Sequence, residues 1–162
     1  MASIVPTEGL DYLVGLLTGD TEQPESLYLG LLSGPDGETV PAANATLAAM
    51  GSGFAEASYT GYARVEVAAN EWGAIGAQTI PGLSAARGSA ASQQSFAAAQ
   101  AADLADPITG FFLTTAATGT SGVVLFYSNF SGGDGDVIAA LALGDIVRVT
   151  PTFALADVAA AA

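Results

Sequence analysis

The sequence predicts a mainly β protein: an antiparallel β-sandwich, jelly-roll-like, with a short N-terminal helix, all in one domain spanning residues 1–162. Three observations lead there. Runs dense in β-branched and aromatic residues occupy 107–115, 122–130 and 145–153, the composition that suits a pleated, half-buried surface. Between them stand the Gly/Thr/Ser stretch 118–122 and the cluster Ser131-Gly132-Gly133-Asp134-Gly135-Asp136, both strong turn signals. Further upstream, residues 56–68 alternate, with Tyr62, Arg64 and Glu66 on one face and Ala63, Val65 and Val67 on the other. Short strands punctuated by turns in a chain of this size fit a sandwich or barrel.

The N-terminal arm, 1–20, holds the one helical pattern: Leu10, Leu13, Val14 and Leu17 fall at i, i+3, i+4 and i+7. Thr7 can cap it, Glu8 and Asp11 suit its positive end, and Gly19 can close it. A polar linker follows, then a strand at 26–32 whose apolar run reads as core rather than as an exposed docking edge. An alanine-rich insertion, 41–60, leaves room for a short helix around 43–50. Trp72 and the Pro81-Gly82 pair are expected in irregular chain. Residues 93–99 suit a strand around Phe96, with helix also compatible, and the tail 156–162 is expected to fray.

Composition narrows the function. Three Arg (Arg64, Arg87, Arg148) and no Lys stand against sixteen acids, a net charge of −13 with no His to alter it. A nucleic-acid partner needs a positive patch to displace counterions, so none is expected. The same charge disfavours anionic lipid, and no apolar run approaches the roughly 20 residues needed to span a bilayer; no membrane partner is expected. The start lacks the basic and apolar regions of a secretory signal, and with no Cys the chain is expected to fold in the cytoplasm where it is made. With 51% hydrophobic residues and 12% charged, weakly polar surface is expected to be covered by another subunit.

Without Cys, His or Lys, triads, thiol chemistry and Schiff bases are excluded, as are the usual zinc, copper and iron ligands. The chain is read as a non-enzyme needing no cofactor. Paired carboxylates could serve glycoside hydrolysis, but acids on so negative a surface ordinarily serve solvation. Residues 131–136 superficially suit a calcium ion; they lack the downstream Glu of an EF-hand loop and read as a turn. Arg64 is the informative cation. Beside Tyr62, an arginine can stack on a ring while its fork bonds a carboxylate or loop carbonyls. That structural bracket is preferred over a ligand-binding role because no other basic residue is near in sequence to share an anion.

The order of these pieces, "LYLGLL", "GYARVEV" with "NEW" after it, "ITGFFLT", "SGVVLFYSNF", "LALGDIVRV" and "PTFAL", resembles a family of small tailed-bacteriophage virion proteins, head decoration or tail-fibre-like. The resemblance runs from about Glu8 to Leu155. Its most specific element is Gly61-Tyr62-Ala63-Arg64 with Asn70 and Trp72 downstream. The chain departs from it in the insertion 41–60 and at Ala116-Ala117, where a polar turn is usual. The resemblance implies a sandwich without catalytic residues, with Tyr62, Arg64 and Trp72 structural, acting by assembly on the particle. An acidic, lysine-free chain suits the outside of a shell packed with DNA. The expected role is therefore a capsid decoration (cement) protein on the outer surface of the virion, binding the major capsid protein and copies of itself, as a trimer. The alternative is a tail or fibre component, an adaptor or a receptor-binding tip.

Overall fold

Eleven strands and one α-helix are seen in the computed structural model, which describes residues 3–34, 46–49, 55–78, 85–130 and 138–157. In chain order they are β1 (Ser3–Ile4), α1 (Thr7–Thr18), β2 (Ser26–Ser33), β3 (Ala55–Glu56), β4 (Val65–Ala68), β5 (Gly76–Gln78), β6 (Ala85–Ala90), β7 (Gln94–Ser95), β8 (Ile108–Thr114), β9 (Val124–Asn129), β10 (Arg148–Val149) and β11 (Thr152–Asp157). The protein is mainly β with antiparallel strand pairs, and its described residues include one short helix.

The largest sheet runs β1-β9-β8-β2, with β3 and β4 both lying along the far edge of β2. Its centre is β8, whose seven residues are all buried. Such a strand reads as a continuous apolar run because both faces are covered. Leu29 and Leu31 on β2, Phe111 and Leu113 on β8, and Leu125 and Phe126 on β9 make the middle of the core. A three-stranded sheet, β11-β6-β5, and the pair β10-β7 complete the fold.

Several expectations are corrected by how the chain pairs. The alternating run 56–68 is not one strand. The chain turns at Tyr59–Tyr62, where the Tyr62 amide donates to the Tyr59 carbonyl at 3.0 Å and Gly61 adopts φ 100°, a conformation that a side chain disfavours. Only Val65–Ala68 then pairs with β2. The last predicted strand, 145–153, is cut at Pro151, which has no amide to continue a ladder; β10 before it pairs with β7, and β11 after it pairs with β6. Backbone pairing in β11 reaches Asp157, opposite Ala85, two residues into the segment expected to fray. Residues 76–78, expected in irregular chain, are β5, and residues 85–90, for which the sequence suggested no element, are β6. Ala and Gly predominate in β6, so its strand state comes from six paired positions on β11 rather than from propensity. Of the insertion 41–60, residues 41–45 and 50–54 lie outside the described residues, and Leu47–Ala49 forms one 3-10 turn. The 131–136 cluster and Pro81-Gly82 also lie outside them.

The helix begins and ends close to expectation but faces the other way. Pro6, with φ −68°, holds the N-cap position, and Thr7 is the first helical residue, not the cap. Pro6 lacks the amide that this end would leave unpaired anyway. At the other end Gly19 adopts φ 80°, and the amides of Gly19, Asp20 and Thr21 converge on the Gly15 carbonyl. Gly9 and Gly15 are buried while Leu10, Val14 and Leu17 are 50%, 58% and 88% exposed. The reason is the distance of approach. A Cβ on Gly9 would lie 2.8 Å from the carbonyl oxygens of both Val124 and Leu125, so α1 meets the β9 backbone at Gly9, while Gly15 is covered by Thr21, and Tyr12, Leu13 and Leu16 are half-buried.

Gly9→Ala is therefore expected to destabilise the protein by about 1–3 kcal/mol through overpacking against backbone that cannot rotate away. Urea unfolding checks this, and an unchanged midpoint would refute the close contact.

Candidate functional site

The arch between β3 and β4 holds a dense polar cluster, and it begins with a gap on β2. β3 pairs with Leu32 and Ser33, and β4 pairs with Ser26 to Leu29, so neither strand reaches the intervening Leu31. That residue is fully buried, and a buried amide without a partner would cost about 1–3 kcal/mol. The Tyr62 hydroxyl fills the gap: it accepts from the Leu31 amide at 3.0 Å and donates to Glu56 Oε1 at 2.6 Å. The Leu31 carbonyl accepts from the Ala57 amide at 2.9 Å.

Arg64 completes the cluster from the other arm of the arch. Its Nε and Nη2 donate to Oε1 and Oε2 of Glu56, each at 2.8 Å, a bidentate pair. Nη1 donates to the Ala116 carbonyl at 2.9 Å and Nη2 also to that of Gly119 at 2.8 Å. The guanidinium carbon stands 5.2 Å from the centre of the Phe112 ring, within cation–π range. The Arg64 side chain is 2% exposed and that of Glu56 is 17% exposed. One guanidinium thus joins β3, the β8–β9 connection and the middle of β8. The connection supplies carbonyls rather than side chains, which is why alanine suffices at 116 where a polar turn residue was expected.

The Tyr62 ring carries the cluster into the core. It lies edge-on to Tyr59 at 5.4 Å and stacked on Phe96 at 5.9 Å. Burial, and then the Glu56 charge and hydrogen bond, push the Tyr62 hydroxyl far above the ordinary phenol range, although the Leu31 amide and Arg64 pull the other way.

Of the three residues singled out by sequence, Tyr62 and Arg64 meet on one carboxylate. Trp72 stands apart, after β4 and a 3-10 turn closed by the Ala68 amide donating to Glu71 Oε2 at 2.9 Å; it bridges to Ala91 and packs partly buried on the core. Glu66, the acid on the expected face, instead accepts from the Ser26 hydroxyl. Sequence reasoning missed Glu56 as the acceptor. The available signal was the rule that a buried guanidinium needs a carboxylate, combined with a turn that folds position 56 back on 64.

A second feature lies along α1, an open cleft of about 580 Å³ bordered by Glu8, Asp11, Tyr12 and Thr21. Glu8 Oε2 accepts from the amides of Leu47 at 3.1 Å and Val124 at 3.0 Å, fastening the helix to the 3-10 turn and to β9. The Tyr12 hydroxyl donates to the Glu22 carbonyl at 3.2 Å.

The two features differ in what they can do. The Arg64 fork is committed to protein oxygens in a nearly solvent-free pocket, which is the geometry of a brace. The α1 cleft is open and mostly apolar in its lining, with Val123 at its wall and the Glu8 and Asp11 carboxylates among its borders, which favour cationic over anionic groups. No protein-family model and no curated protein matches the chain.

Proposed function

We propose that the chain is a structural subunit of a bacteriophage virion, a decoration (cement) protein on the outer face of the head shell that binds the major capsid protein and copies of itself, as a trimer. The observation that carries this reading is the apolar surface left on a strongly acidic, internally braced scaffold. Leu10, Val14 and Leu17 on α1, Ile75 before β5, and Leu143 and Ile146 before β10 all stand exposed, at a net charge of −13. Surfaces of that kind are buried by association, and the negative charge favours a position away from packaged DNA. The Gly61-Tyr62-Ala63-Arg64 box, on which the resemblance to tailed-phage proteins rests, supports the same reading as the part that makes the scaffold rigid.

The architecture that suits this role is a two-sheet sandwich, wound in jelly-roll-like fashion. In support, Phe126 on β9 meets Phe153 on β11 edge-on at 6.0 Å, so a residue of the large sheet touches one of the three-stranded sheet. A protein bound across neighbouring shell subunits stabilises the lattice by its binding free energy, and several linked copies multiply that through avidity.

The test is addition of purified chain to shells that lack it. Uptake at a fixed stoichiometry with a raised disruption temperature is the expected result. Labelling of tails alone would replace this reading with that of a tail or fibre component, and hydrolysis of bacterial glycans that is lost on mutating a carboxylate pair would replace it with an enzyme.

A further inference from the structure

We propose that the outward face of α1 is the docking surface for a partner protein that presents an apolar strip flanked by lysine or arginine. The inference takes from the preceding reading only that the chain works by attachment; it names the surface and the chemistry of what covers it.

Three apolar residues of the helix, Leu10, Val14 and Leu17, are turned away from its own core, while Leu13 and Leu16 are half-buried. Gly9 and Gly15 face inward, and Leu10, Val14 and Leu17 face solvent. At i, i+4 and i+7 they form a line about 10 Å long at 1.5 Å rise per residue, the spacing by which a helix offers anchors to an apolar groove. A helix that needed only its own fold would carry polar residues there, because its seam with β9 is made by glycine.

Charge decides the occupant. No Lys or Arg occurs between residues 1 and 63, while Glu8, Asp11, Asp20, Glu22 and Glu25 lie on the helix or just after it. The cleft bordered by Glu8, Asp11, Tyr12 and Thr21 lies along the same helix, and Asp11 follows Leu10 in the chain. An ammonium or guanidinium group entering it would meet carboxylate and hydroxyl oxygens while the adjoining apolar strip covered Leu10, Val14 and Leu17. A second copy is a poor occupant. At this face it would offer no Lys, and of its three arginines Arg64 is held by Glu56 and Arg87 donates to the Ile75 carbonyl. That leaves Arg148 alone against Glu8, Asp11, Asp20, Glu22 and Glu25; contacts between copies through other faces are not affected. Opposed like charges disfavour that pairing.

The experiment uses the full chain and three synthetic helical peptides: one with a leucine strip flanked by lysines, one with the same strip flanked by glutamates, and a scrambled lysine control. Binding is measured by calorimetry and the footprint by amide chemical shifts. The lysine-flanked peptide is expected to bind with its footprint on residues 7–22 and with affinity falling as salt is raised. The double variant Val14→Ser/Leu17→Ser is expected to weaken binding roughly tenfold or more, from the apolar area it removes, and Asp11→Asn to weaken it and flatten the salt dependence. Leu17→Ser alone, at the most exposed of the three positions, serves if the double variant does not fold. Equal binding of the glutamate or scrambled peptide, a footprint elsewhere, or dimerisation of the chain through α1 that Leu17→Ser abolishes would each overturn the proposal. The two readings fail separately. Shells decorated equally well by the α1 variants would remove this surface and leave decoration standing; lysine-peptide binding at α1 by a chain that no shell takes up would do the reverse.

Discussion

Arg64→Ala is expected to lower folding stability by about 3–5 kcal/mol, the range for breaking a buried ion pair by removing one partner, with a fall in melting temperature on the order of 10 °C for a chain of this size. The size follows from what remains. Glu56 keeps its charge beside Leu31 and Tyr62 but loses both guanidinium bonds, and the carbonyls of Ala116 and Gly119 lose their donors. The truncation also leaves a void beside the Phe112 ring, which is fully buried. Thermal and urea unfolding of the purified variant measure the loss.

Two further variants separate the parts of that number. Arg64→Lys keeps a positive charge but cannot supply a planar fork, so it should recover only part of the loss. Removing both charges, as Arg64→Met with Glu56→Gln, should be much milder than Arg64→Ala, because no uncompensated buried charge is left; the four-way comparison gives the coupling energy of the pair directly. If Arg64→Ala melted with the parent while losing attachment to a particle, the arginine would be a binding residue and the brace would be the wrong account.

Much of this brace was legible in sequence because it rests on rarity. One arginine beside a tyrosine, in a chain with sixteen acids and two other cations, must find a carboxylate nearby. Which one was not legible, since alternation projected Glu66 onto the same face and hid the turn at Gly61 that swings Glu56 into reach. The central strands β2, β8 and β9 were equally plain, being apolar runs bounded by turn residues. β5 and β6 were not, because Gly, Ala, Gln and Ser there carry little strand preference and the pairing of β6 with β11, and of β5 with β6, imposes their conformation. The helix shows the sharpest limit of periodic reading. Period 3.6 located α1 within a residue at each end, yet the face that packs is chosen by how closely backbone can approach backbone. Gly9 outweighs Leu10, Val14 and Leu17 in that choice, and no hydrophobic pattern reports it.

Tyrosine burial makes the alkaline side of the stability profile a second large effect. The chain has no Cys, Lys or His, so between the carboxylates and the arginines only tyrosine side chains titrate. Burial, joined by the negative charges of Glu56 and Glu8 respectively, raises the Tyr62 and Tyr127 phenols well above the ordinary value of 10.0, and burial raises Tyr59 in the same direction. A raised folded-state value means that the unfolded chain releases its proton first. The stabilising contribution is therefore complete below about pH 10 and is lost as pH climbs from there toward the folded-state values. Each such tyrosine lowers stability by at most about 1.4 kcal/mol per pH unit once the pH passes its unfolded-state value, so Tyr62 and Tyr127 act together on the alkaline side. Urea midpoints are expected to change little from pH 7 to 9.5 and then to drop steeply, with tyrosinate absorbance rising at unfolding rather than before it. Tyr127→Phe should roughly halve the slope, since it removes one of the two deeply placed phenols while keeping the ring. A midpoint that stays level to pH 12, or five tyrosines that all ionise near pH 10 in the folded protein, would mean that water reaches the Leu31 gap and that the brace around it is open.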